Sequence, residues 1–189
     1  MARLSVAGHD PSSRNWGIAG GTIDTDTGQL SIKTLRVVRA EPLEGKQVRQ
    51  NSQDLRTANQ LYEGVTPFMA ASLTFAEIPV GSQSARASLC SGICIGVLGS
   101  LRANSQFVEV TPNEVKIAAV GDRKATKKQM IEWAVKKHPE APWPRKSNGE
   151  ILLGDAEHMA DAVGAIYAGL QTETYKQFIQ FLKGVTPCN

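Results

Sequence analysis

The sequence predicts an α/β domain on a five-stranded mixed sheet, three antiparallel strands extended by two parallel ones and flanked by helices. Two observations predict it. Strand patterns fill the first forty residues, and strands then alternate with helices, the order of a meander followed by helical crossovers. A chain of 189 residues, 41 % hydrophobic and 21 % charged, is also long enough for one sizeable core. One domain over residues 1–189 is expected, with a helical tail from about residue 173.

The elements follow in order. Leu4–Gly8 is a short apolar strand that stops at His9-Asp10-Pro11, because proline cannot donate to a ladder. Trp16–Ile23 is a second strand and Asp24–Gly28 a turn cluster of the hairpin kind. Leu30–Val38 alternates through Leu30, Ile32, Leu35 and Val37 as a third strand. The polar stretch from Glu44 to about Leu61 reads as an exposed helix with Val48, Leu55 and Leu61 as its buried stripe. Leu73–Ile78 is a strand stopped by Pro79. Ser84–Leu101 is a helix rich in Ala, Gly and Cys, suited to close packing or an interface. Phe107–Val110 is the fifth strand, and Pro112 opens a short helix to about Val120. Further helices are expected at Lys127–His138, Asp155–Leu170, with Asp155 as N-cap, and Thr174–Leu182.

The net charge is only +3, so no global field points to nucleic acid or membrane. Its distribution is uneven. From Lys116 to Lys146, nine basic residues face three acids, a net of +6 that leaves the rest of the chain at −3. That pattern fits one basic face on a near-neutral body, or simply a solvated helix and loop. Three cysteines argue against a disulfide scaffold, and Cys90 and Cys94 share one helix face as small hydrophobes. The opening residues show no signal-peptide core, and no apolar run reaches the ~18 residues of a membrane span. A soluble protein of a reducing, cytoplasmic compartment, without a membrane partner, is expected.

Chemistry concentrates in three acids. Asp10 ends the first strand and Glu77 the fourth, so they lie side by side if those strands are neighbours. His158 and Asp161 are three apart on a helix and share a face. Each has a plainer reading alone: a turn opener, a surface charge, a structural histidine. Together, three carboxylates and an imidazole would repel one another unless divalent cations sit between them, and oxygen-rich sites suit Mg²⁺ or Mn²⁺. Two ions about 4 Å apart would stabilise the attacking and leaving oxygens of an in-line displacement at phosphorus.

At this point the sequence resembles a family. Leu4-Ser5-Val6-Ala7-Gly8-His9-Asp10-Pro11, followed by Gly17, looks like the opening of RuvC-type Holliday junction resolvases, in the RNase H-like superfamily. Phe75-Ala76-Glu77 is similar to the family's second acid, and Lys116 and Lys127 to its two lysines. His158-Met159-Ala160-Asp161-Ala162-Val163 is similar to its (Asp/His)-x-x-Asp-Ala-Leu helix. The motifs run in family order over roughly residues 4–170.

The resemblance implies an RNase H-like fold and a crossover junction endodeoxyribonuclease of DNA recombination and repair. Asp10 would bridge two Mg²⁺ or Mn²⁺ ions. Glu77, His158 and Asp161 would complete the ligand shell. Lys127 would face the scissile phosphate or the attacking water, and Lys116 would contact the DNA backbone. A homodimer through the helix 84–101 would nick two strands of like polarity in a four-way junction, leaving 5′-phosphate and 3′-hydroxyl ends. The small residues Ala85, Ala87, Gly92 and Gly96 would allow the close approach. The basic loop and helix start, Arg123, Lys124, Lys127 and Lys128, can neutralise phosphates without reading sequence.

The chain also departs from the family. Ser12 stands where the family has Gly, and Val80 where bacterial members carry a Phe wedge. A divergent, phage-encoded member accepting several branched structures fits these changes. Two other readings stay open: an RNase H-like ribonuclease on RNA–DNA hybrids, and a branched-DNA binder that does not cut.

Overall fold

The structure is a computed structural model that describes residues 3–42, 45, 49–81 and 84–185. Five strands form one sheet: β1 (Arg3–Asp10), β2 (Asn15–Asp24), β3 (Leu30–Arg39), β4 (Leu73–Glu77) and β5 (Gln106–Val110). Their order is β3-β2-β1-β4-β5, antiparallel across β3-β2-β1 and parallel across β1-β4-β5. This is the mixed sheet the sequence predicts. The β2–β3 turn is tied by Asp24, whose carboxylate accepts from the amides of Asp26 and Thr27 at 3.0 and 2.9 Å. Gly28 supplies the left-handed residue that closes it, at φ +72°.

Helices cover both faces of the sheet. They are α1 (Gln50–Val65), α2 (Ala85–Arg102), α3 (Pro112–Val120), α4 (Lys127–Lys137), α5 (Leu153–Gly169) and α6 (Glu173–Val185). Successive strand residues point to opposite faces. On one face Val6, Leu73, Phe75 and Val108 pack against Ala156, Ala160, Val163 and Ile166 of α5. On the other, Trp16, Ile18 and Ala76 pack against Leu61 and Val65 of α1 and Cys94, Val97, Leu98 and Leu101 of α2. Two glycines set the depth of α5. A Cβ on Gly8 would collide with the carbonyl of Ala162, and one on Gly17 with the carbonyl of His158. Helix α3 and helix α4 each start in a capping box, Thr111 with Glu114 and Thr126 with Gln129.

Three sequence expectations are corrected. Helix α1 begins at Gln50, while Val48 and most of the stretch from Glu44 lie outside the described residues. Leu55 is not in its buried stripe but 64 % exposed; Asp54, Leu61, Gly64 and Val65 face inward instead. The reason is an ion pair whose carboxylate end is sheltered and whose arginine end is exposed. Arg86 of α2 grips Asp54 with both guanidinium nitrogens, at 2.7 and 2.6 Å, and sets the rotation of α1. Asp155 is not the N-cap of α5. That position is Leu152, and Asp155 sits in the first turn paired with Arg39 of β3, where a carboxylate suits the helix dipole.

Candidate active site at the ends of the parallel strands

The parallel ladder of β1 and β4 runs from Val6 opposite Leu73 to His9 opposite Ala76. One more step brings Asp10 level with Glu77 at the strand ends. Both side chains project to the α5 side, because Gly8, two residues before Asp10, contacts α5. Helix α5 crosses there, held close by Gly8 and Gly17, and presents His158 and Asp161 from one face. His158 Nδ1 lies 3.0 Å from Asp10 Oδ2, with the two side chains 21 % and 15 % exposed. The structure therefore sets His158 against Asp10, 148 residues away in sequence, with Glu77 and Asp161 near enough for their charges to act on one another and on Asp10.

The electrostatics are those of crowded acids. Glu77 is pushed up to about 8, first by burial and then by the charges of Asp10 and Asp161, with Lys116 pulling the other way. Asp161 is pushed up to about 7 by burial, then by Asp10 and Glu157, against the pull of His158 and Lys116. His158 is raised above an ordinary imidazole, chiefly by its hydrogen bond to Asp10. The donor chemistry, carboxylate oxygens that destabilise one another when ionised, fits a hard divalent cation. Among the described residues, however, no three His, Cys, Asp or Glu side chains are gathered as a group that could hold a metal ion. His158 Nδ1 is engaged by Asp10.

The basic residues divide into two sets. Lys116 on α3 is half-buried, and its charge acts on both Glu77 and Asp161, so a backbone contact there would fall at the acids themselves. Lys127, the first residue of α4, pairs with Glu157 at 2.6 Å and feels the charge of Asp161. Arg123, Lys124 and Lys128 are fully on the surface; Lys128 reaches Glu132 at 3.7 Å. Val80, at the position of the bacterial wedge, is 64 % exposed.

Two residues escape sequence reasoning. Glu157 borders the acids, and its signal was available: it directly precedes His158 and stands one helical turn before Asp161. His9, next to Asp10, is fully buried on the opposite face and accepts from Trp16 Nε1 at 3.2 Å. Burial pulls it down to about 3, so it stays neutral. Cys94 is likewise inert, its thiol pushed up to about 12, mainly by burial.

No family model and no curated protein matches this sequence. Solved structures do. Thermus thermophilus RuvC in complex with a Holliday junction substrate is similar over 87 % of this chain and 92 % of its own, at 18 % identity and TM-score 0.60. The yeast mitochondrial Holliday junction resolvase Ydc2 is similar over 95 % of this chain and 83 % of its own, at 14 % identity and TM-score 0.61. The fowlpox virus resolvase, in a complex with junction DNA, is similar over 95 % and 99 %, at 12 % identity and TM-score 0.52. The chain thus shares the mixed α/β fold of these resolvase structures. No helix among the described residues is long and apolar enough to cross a membrane.

Proposed function

We propose that this chain is a metal-dependent, structure-selective DNA endonuclease that resolves four-way junctions and other branched DNA by paired nicking. The observation that carries the reading is the meeting of Asp10 and Glu77 at the level ends of neighbouring parallel strands, with Asp161 of α5 close enough for its charge to act on Glu77 and to feel Asp10. Acids buried beside other acids cluster at functional sites. The likeness to resolvases over most of the chain supports the same reading.

Asp10, Glu77, His158 and Asp161 would hold Mg²⁺ or Mn²⁺. When bound, such ions supply Lewis-acid stabilisation of the charge that develops at phosphorus. The protein does the rest. Gly8 and Gly17 fix α5 so that His158 and Asp161 face the strand ends. Lys127 offers its ammonium to the phosphate at the mouth of the site, and Lys116 moderates the acids from α3. Arg123, Lys124 and Lys128 draw the phosphodiester backbone toward them.

Paired nicking needs two copies. Helix α2 offers the surface: Ala85, Ala87, Gly92 and Gly96 are exposed, space lies open beside Gly92, Gly96 and Gly99, and Leu89 and Ile95 stand 47 % and 48 % exposed. A two-fold dimer through this helix matches a two-fold junction.

The test offers purified protein a mobile four-way junction, a three-way fork, linear duplex and an RNA–DNA hybrid, with Mg²⁺ or Mn²⁺. Preferential cutting of the junction and fork is the expected result. Cutting confined to the RNA strand of the hybrid would make the chain a ribonuclease, and tight junction binding without cutting would make it a branched-DNA binder.

A further inference from the structure

We propose that Glu157 is a positioning residue of this site: it holds the Lys127 ammonium at the edge of the acid group, where the reacting phosphate would enter. This rests on the nuclease reading above. The pair spans two helices, from the first residue of α4 to α5, and closes at 2.6 Å. Its two members differ in freedom. The Lys127 side chain is 77 % exposed and Glu157 22 %, so the carboxylate is the anchored partner and the flexible lysine stem is what it fixes.

The location of Lys127 makes a partner necessary. The first turn of α4 carries Lys127 and Lys128 and no acid, although a helix N-terminus favours negative charge and disfavours cations. Its capping box closes with the neutral amide of Gln129, where a glutamate would have brought a counter-charge. Helix α4 therefore supplies nothing to hold the amine, and α5 does. Breaking a local electrostatic rule in this way is characteristic of functional positions.

The pair also leaves the lysine usable. An ammonium has three donors, and one on Glu157 leaves two for a phosphate oxygen or a water. Only the lysine end of the pair is exposed, so the ammonium keeps its place on Glu157 while its free donors face a substrate. Glu157 itself lies one turn from Asp161 on the same helix face, so the amine it holds stands beside the acids; Asp161 acts on it directly. Without the carboxylate, the lysine would sweep through solvent and meet the phosphate in few of its rotamers.

The test is a double-mutant cycle on the full chain. Single-turnover cleavage rate and junction Kd are measured for wild type, Glu157→Gln, Lys127→Ala and the double variant, with Glu157→Asp as the conservative replacement. Glu157→Gln is expected to slow cleavage about tenfold while the junction Kd stays within about twofold. In the Lys127→Ala background the same change is expected to do nothing further, and Glu157→Asp should recover part of the rate. Independent, multiplying losses, a wild-type rate in Glu157→Gln, or a loss confined to binding would each overturn the proposal. A wild-type chain that cuts while Glu157 is uncoupled sinks this inference alone; one that cuts no branched DNA sinks the nuclease reading and this with it.

Discussion

Replacing Glu77 by Gln should make the metal-free protein more stable at alkaline pH while removing its activity. The carboxyl ordinarily titrates near 4.5 and is pushed up to about 8 in the fold. An acid raised in this way helps stability below its unfolded value, and that help is lost as pH climbs through the folded value. At ~1.4 kcal/mol for each pH unit between them, the ionised side chain costs the folded chain about 4 kcal/mol at pH 8 and under about 1 kcal/mol at pH 5. Glutamine keeps the shape and removes the charge. A half-buried amide short of partners returns ~1–2 kcal/mol of the benefit. The net gain is about 2–3 kcal/mol at pH 8, or about 4–12 °C in Tm for a chain of this size. At pH 5, where Glu77 already holds its proton, the gain should vanish. Thermal melts in EDTA at the two pH values measure it. A variant less stable than wild type at pH 8, or equally shifted at both, would refute burial of the carboxyl beside other acids as the cause. Added Mg²⁺ should narrow the difference, because a bound cation stabilises only the wild type.

Three further predictions share this basis. His158 keeps its proton to higher pH than an ordinary imidazole through its bond to Asp10, and an imidazolium cannot be a ligand; His158→Asp should therefore carry cleavage to lower pH, and an unmoved acid limb in the pH–rate profile would count against the role. Gly17→Ala would drive a methyl into the His158 carbonyl, lowering stability in urea by ~2–3 kcal/mol and abolishing cleavage; a well-folded, active variant would show that α5 does not depend on that approach. Ile95→Arg on the open face of α2 should leave the fold intact and halve the mass seen by light scattering, whereas an unchanged mass would remove α2 as the dimer contact.

Much of this architecture is legible in the sequence, for identifiable reasons. Asp10 and Glu77 end strands whose stops are marked by Pro11 and Pro79, so their meeting needs only that β1 and β4 be neighbours. His158 and Asp161 share a face through helical spacing alone. The sequence hides what charge pairing across the fold decides. Asp54 looks like a solvent residue beside Leu55, yet Arg86, 32 residues later, reverses their burial. Asp155 has the form of a cap after Gly154, yet Arg39 draws it to β3. Glu157 differs from any surface acid only by the lysine it meets from α4. None of these pairings has a period, so hydrophobic patterning does not reveal them.

The most direct measurement is a four-way junction labelled on each strand in turn, incubated with wild-type protein and Mg²⁺ or Mn²⁺ beside Asp10→Asn. The account predicts symmetric nicks in two strands of like polarity, with 5′-phosphate and 3′-hydroxyl ends, dependent on the metal and absent from the variant. An intact junction under both metals, or the same nicks from Asp10→Asn, would contradict it.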